Sequence, residues 1–184
     1  PSQPMHLHAP QTGGIDDTAE AEDLAQIPRD VVIISAADSE LASQARAHDA
    51  IAGDKPSLRL ANLMALDHNL SVDTYIDTTL GQARLIIVRC LGGLSYWSYG
   101  IEQLISLAGD RSIKLALLPG GADPDPDLTG QSTLPPETCE RLRQYFANGG
   151  PANASALLTL CAALLDYPVE PAPPQAFAAA ALYW

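Results

Sequence analysis

Leu85-Ile86-Ile87-Val88-Arg89-Cys90-Leu91-Gly92-Gly93-Leu94-Ser95-Tyr96-Trp97-Ser98-Tyr99-Gly100 decides how this chain folds. An apolar run ends in a Gly-Gly turn, and three aromatics follow within four residues, although aromatics are only 5% of the sequence. A short apolar run bounded by glycine is a strand buried on both faces, as in a parallel sheet. Glycines at its end let a backbone or a ligand come close. From Ser95 or Tyr96 to about Ala108 the pattern turns helical, with Ile101, Leu104, Ile105 and Leu107 on or near one face.

The same alternation recurs on both sides. Asp30 to Ser35 is a β-branched strand, and Ser39 is placed to cap a helix over Glu40–Ile51, which Pro56 ends. Ser57–Leu63 reads as a strand. A helix starts at Ser71 and runs to about Ala83, and Arg84–Cys90 is the third strand. Ile113–Leu118 is the fourth, followed by a loop over Pro119–Gln131. Two helices close the pattern, from Pro135-Pro136-Glu137 to Asn148 and from Asn153 to Asp166, with Gly149-Gly150-Pro151 between them. Strand and helix alternating four times predict an α/β fold: an open parallel sheet flanked by helices, a flavodoxin-like three-layer sandwich. The expected boundaries are an N-terminal segment over 1–25, with a short strand at Met5–Ala9 and an acidic loop, and the α/β domain over 26–167. A proline-rich linker follows over 168–184, running into the start of a following domain. The apolar run Ala176–Trp184 stops without a cap or polar tail, as expected of a domain cut from a longer chain.

Composition narrows the partners. A net charge of −12 over 184 residues argues against nucleic acid or an anionic membrane surface. The apolar stretches are too short to span a bilayer, and no signal peptide is evident. Cys90, Cys139 and Cys161 are odd in number and well separated. They read as small buried hydrophobes of a reducing, cytoplasmic compartment.

Ligands of open α/β sheets bind outside the carboxyl ends of the strands. The loops there are Ser35–Ser39, Asn62-Leu63, Leu91–Tyr96 and Pro119–Asp123. The candidate substrate-binding residues are Arg89, Gly92, Gly93, Ser95, Tyr96 and Trp97. Arg89 either pairs with one of the chain's own carboxylates or reaches a ligand carboxylate. The aromatics either pack their helix on the sheet or stack on a conjugated ring. No catalytic residue can be named. Phosphate-loop and Gly-x-Ser-x-Gly signatures are missing from the sequence, and Asp38 in the first loop would repel a phosphate. His6-x-His8 lacks further ligands at metal spacing, Asp123–Asp127 lacks the turn of a calcium loop, and His48 and His68 sit in polar segments, read as solvated.

Several segments are unusual enough to carry a family resemblance. They are Met5-His6-Leu7, Gly13-Gly14-Ile15-Asp16-Asp17, Asp30 to Asp38, Ser57 to Leu63, Ser71-Val72-Asp73-Thr74-Tyr75, Arg89 to Gly100, Leu117-Leu118-Pro119-Gly120 and Leu182-Tyr183-Trp184. In this order they resemble the N-terminal region of the large subunit of aerobic cobaltochelatase, CobN type. The magnesium chelatase large subunit is similar in plan. The resemblance implies a subunit that binds the tetrapyrrole and inserts Co²⁺ into hydrogenobyrinic acid a,c-diamide in cobalamin biosynthesis. It implies two protein partners, an AAA+ ATPase subunit that hydrolyses ATP and a subunit with a metal-dependent adhesion-type domain. No cofactor is expected on this chain itself, and the chain alone is expected to be inactive.

Three roles follow. The domain helps hold the corrinoid through Arg89, Gly92-Gly93 and Tyr96 or Trp97. Alternatively it is a scaffold or docking module that touches no ligand. The third role is a small flavodoxin-type flavin or nucleotide binder.

Overall fold

Residues 21 and 23–176 are described by the computed structural model. The expected strand at Met5–Ala9, the paired histidines His6 and His8, and the run Phe177–Trp184 lie outside the described residues.

Four strands form one parallel sheet in the order β2-β1-β3-β4: β1 Val31–Ser35, β2 Leu58–Asn62, β3 Leu85–Cys90 and β4 Lys114–Pro119. The register sets Ser35 beside Asn62 on one side and beside Arg89 on the other, while Cys90 faces Pro119. This order is the doubly wound, flavodoxin-like one, with its switch point between β1 and β3. Every residue of β1 and β3 is buried, as two-sided covering requires.

Alternation along the strands builds the two outer layers. Val32, Ile34, Ile86, Val88, Leu115 and Leu117 face α2 (Asn69–Thr78) and α4 (Ser98–Arg111). Val31, Ile33, Leu85, Ile87, Ala116 and Leu118 face the other way. They meet Ala47 of α1 (Asp38–Ala50) and the apolar sides of α6 (Pro136–Asn148) and α7 (Gly150–Leu164). The three-layer α/β sandwich expected from the sequence is therefore the observed fold.

Local chemistry moved several boundaries. Helix α1 starts at Asp38 with Ala37 as its uncapped N-cap, because the Ser35 hydroxyl in the preceding turn accepts from the Ala37 N–H at 3.1 Å. Ser39 is thus inside the helix. Helix α2 starts before Ser71, since the His68 ring accepts from the Leu70 N–H at 3.1 Å. His68 is a cap, and His48 hydrogen-bonds the Pro56 carbonyl at 2.9 Å, so neither histidine is merely solvated. The helix after β3 is two pieces, α3 (Gly93–Tyr96) and α4, broken at Trp97. The loop after β4 holds one helical turn, α5 (Pro126–Thr129), capped by the Asp125 carboxylate.

The proline-rich segment after α7 packs back onto the domain. Arg141 donates to the Pro171 carbonyl at 2.8 Å, Tyr145 donates to that of Ala172, and Asn153 makes two hydrogen bonds with the Gln175 backbone. Thus residues 171–175 are a strap along α6 and α7.

Candidate functional site at the carboxyl edge of the sheet

Gly92 and Gly93 both adopt left-handed backbone, at φ +70° and +69°. A Cβ on Gly92 would stand 3.0 Å from that of Tyr96, and one on Gly93 would stand 3.3 Å from Asp125 Oδ2. Glycine is required twice here, and the pair swings the chain from β3 into α3. The swing exposes Leu91, Leu94, Ser95 and Tyr96 at the edge. Tyr96 is 52% exposed, with its hydroxyl 3.9 Å from the sulfur of exposed Met64, which follows β2. The loops after β2 and β3 thus meet in one apolar, partly aromatic patch.

The neighbouring Trp97 points the opposite way. It is 5% exposed, and its indole N–H donates to the Leu66 carbonyl at 2.8 Å. Its ring lies on Gly100, where a Cβ would be 2.1 Å from ring carbon Cε2. Gly100 therefore makes room for the indole, and Trp97 pins α4 to the layer below. Tyr99 donates to Asp73 Oδ1 at 2.7 Å, linking α4 to α2, and that hydrogen bond pushes the phenol pKa upward. Of the three aromatics, Tyr96 is the one that faces solvent broadly.

Arg89 fills the switch point. It is 4% exposed, and its Nη2 lies 2.9 Å from Glu40 Oε1. Nε also donates to Glu40, Nη1 to the Pro119 carbonyl and Nη2 to the Gly120 carbonyl at 3.2 Å. The guanidinium lies over the Phe146 ring, 4.8 Å from its centroid. Glu40 in turn accepts from Ser35 Oγ at 2.7 Å. One cation thereby ties β1, α1, β3, the β4 loop and α6 together. Where flavodoxin-type folds seat a ligand, this chain places its own buried ion pair, so the flavin or nucleotide reading loses its seat.

Cys90 sits one residue on, and burial pushes its thiol up to about 12, with Arg89 only partly opposing the shift. Burial likewise holds Cys161 at about 12. Neither supplies a thiolate near neutral pH. Among the described residues no group of three or more His, Cys, Asp or Glu is arranged to hold a metal ion. No helix among them is long and apolar enough to cross a membrane.

Of the six residues picked out in the sequence, Gly92, Gly93, Ser95 and Tyr96 share the exposed edge, whereas Arg89 and Trp97 are framework beneath it. Sequence reasoning missed Met64 and Leu94 as neighbours of Tyr96. It also missed Gln44, a buried glutamine on α1 whose carboxamide oxygen has no hydrogen-bond partner among the described residues. Isolated apolar or polar residues on helices give no sequence signal of this kind.

Fold and edge together define a doubly wound parallel α/β domain with a closed switch point and an aromatic display loop. No family model matches the chain. It is 44% identical over 180 residues to "Aerobic cobaltochelatase subunit CobN" of Sinorhizobium sp, a match covering 98% of this chain and 14% of that protein. The CobN of Pseudomonas aeruginosa is 45% identical over 150 residues, 82% of this chain and 12% of its own length. A solved structure, "Catalytic Subunit of Cobaltochelatase from Mycobacterium tuberculosis", superposes with a TM-score of 0.63 at 28% identity. That match covers 80% of this chain and 11% of the mycobacterial one. This chain belongs to the family of CobN cobaltochelatase subunits and corresponds to a small part of such a protein.

Proposed function

We propose that this chain is the N-terminal domain of the tetrapyrrole-binding subunit of an ATP-dependent cobaltochelatase. The reaction would insert Co²⁺, as a substrate, into hydrogenobyrinic acid a,c-diamide in aerobic cobalamin biosynthesis. The observation that carries this reading is the 44% identity to a CobN subunit along nearly the whole chain. Cobalt is favoured over magnesium because both sequence relatives are named cobaltochelatases. The ATPase and adhesion-domain subunits are the proposed partners, and ATP and Co²⁺ belong to the assembled enzyme.

Within that enzyme the domain acts as a docking module, and its carboxyl edge is the contact face. Leu91, Leu94, Tyr96 and Met64 expose apolar surface on a rigid base, a pattern that marks interaction sites. The arginine and indole that could have held a corrinoid are committed to the fold. A second reading, in which the edge touches the macrocycle directly, is favoured by Tyr96 alone, a ring beside a Cβ-free turn.

Calorimetric titration with hydrogenobyrinic acid a,c-diamide, beside the Tyr96→Ala variant, separates the two. The docking reading expects no saturable heat with either protein. Saturable binding that weakens about tenfold in Tyr96→Ala, as loss of one stacking contact allows, would overturn it in favour of direct contact.

A further inference from the structure

A cleft of about 720 Å³ opens between α1, α6 and α7, on the sheet face opposite the Trp97 layer. Ala47 and Ala50 of α1, Phe146 of α6 and Ala154 of α7 give it apolar walls, and Gly149 and Gly150 form a corner at one end. A Cβ on Gly149 would meet nothing within 4 Å, so that corner is open.

The strap over residues 171–175 leads to this corner. Pro171, Pro173 and Pro174 keep its backbone extended. Two cleft residues also meet the strap or its anchor. The Tyr145 hydroxyl donates to the Ala172 carbonyl, and the Gly149 carbonyl accepts from Asn153 Nδ2 at 2.7 Å. That same Nδ2 donates to the Gln175 carbonyl at 2.8 Å, while Asn153 Oδ1 accepts from the Gln175 N–H at 2.9 Å. Asn153 is 4% exposed, and a buried carboxamide that spends both its ends on one backbone residue fixes where the strap stops. Gln175 and Gly149 thus share one donor nitrogen at the cleft mouth.

The sequence changes character at that point. Ala176–Trp184 has no charged residue and carries Phe177, Leu182, Tyr183 and Trp184. Two extended residues reach about 7 Å, so Phe177 is within reach of the Gly149–Gly150 corner. An apolar cleft and an apolar segment delivered to its mouth both leave water when they join.

We infer that the cleft is the seat of this chain's own segment Phe177–Trp184, entered at the glycine corner, with Phe177 lying against Phe146, Ala47 and Ala154. The occupant is the tethered segment rather than a second copy. The strap holds it at a high effective concentration, whereas a separate chain loses translational and rotational freedom on binding. The seat commits the α1, α6 and α7 face to the chain beyond Gln175 and leaves the Tyr96 edge free. It does not depend on the chelatase reading.

Paramagnetic NMR of the 184-residue chain tests the seat. Cys90, Cys139 and Cys161 are buried, so a nitroxide attached to Arg46→Cys, at an exposed position lining the cleft, is the single label. The expected result is loss of the Phe177–Ala180 amide signals. The same label on Glu102→Cys, exposed on α4 across the sheet, leaves them sharp. Adding Phe177→Asp restores the signals of residues 178–180, because losing one buried aromatic lowers the seated population about tenfold or more. Signals that stay sharp with the label at position 46, or that fade equally with the label at position 102, overturn the inference. So does fading in a mixture of isotope-labelled unmodified chain with unlabelled spin-labelled chain, which would seat a second copy in the cleft.

Discussion

Arg89 and Gln44 are equally hidden, each at 4% exposure, and they teach opposite lessons. Arg89 brings a full charge into the sheet's switch point and meets a carboxylate, two carbonyls and an aromatic face. Gln44 brings only an amide into the layer beside it, and its oxygen has no partner among the described residues. A buried polar group with every bond made is part of the frame. One with a bond missing is a destabilising load that the rest of the fold must offset. Phe146 lies under the guanidinium and lines the same cleft as Gln44.

The strongest way to break the contrast is to remove the satisfied member. Arg89→Met leaves Glu40 facing a crevice with its cation gone and leaves two carbonyls without their donor. Breaking a buried pair from one side costs about 3–5 kcal/mol. Glu40 is 22% exposed and regains some water, so urea unfolding should show a loss toward the low end of that range. The double variant Glu40→Leu/Arg89→Met should lose less than the sum of the two single losses, because no lone charge remains. A strictly additive cycle would mean that the pair does not act as a unit.

The strands that place Arg89 were readable because they are apolar on both faces and bounded by turn residues; Val31–Ser35 and Leu85–Cys90 left little alternative. Helix starts were less so. Ser39 looked like a cap, but Ser35 already turned the chain, and His68 took a role that a Ser71 cap would have had. At the edge, the glycine pair was legible and the fate of its aromatics was not. Tyr96 and Trp97 are adjacent, yet the break at Trp97 sends one to solvent and the other under the helix. That outcome depends on Gly100 leaving room for the indole and on the Leu66 carbonyl, reached only after the chain has folded. Likewise an arginine in a strand predicts some carboxylate, but only topology brings Glu40 to it. Gln44 was invisible, since a missing partner is a property of the assembled layers.

The converse change, at Gln44, should move stability the other way and by less. Gln44→Leu removes an unsatisfied buried acceptor and keeps the apolar contacts, and a gain of about 1 kcal/mol is expected. Calorimetric melting checks it. A loss of similar size would show that the carboxamide has a partner in solution, and the contrast with Arg89 would then vanish.

The smallest effect comes from a pair that keeps good hydrogen bonding but loses burial. Arg143 grips Glu140 at 2.7 and 2.8 Å, and Gln144 adds a third bond at 3.0 Å. The Arg143 hydrogen bond, more than any other cause, holds the Glu140 carboxyl below the usual glutamate range. A carboxyl whose folded pKa is depressed stabilises the fold above its unfolded value, near 4.3, and that stability is lost as pH falls through the lower, folded value. Because the Glu140 side chain is 44% exposed, solvent screening limits the effect to about 0.3–0.5 kcal/mol. Unfolding free energies of the wild type and Glu140→Gln should therefore differ by that amount at pH 6 and converge as pH falls below the folded value. If the gap at pH 6 instead rivals the Arg89→Met loss, bond count rather than burial governs these pairs. The difference between Arg89 and Gln44 would then have to be sought in geometry alone.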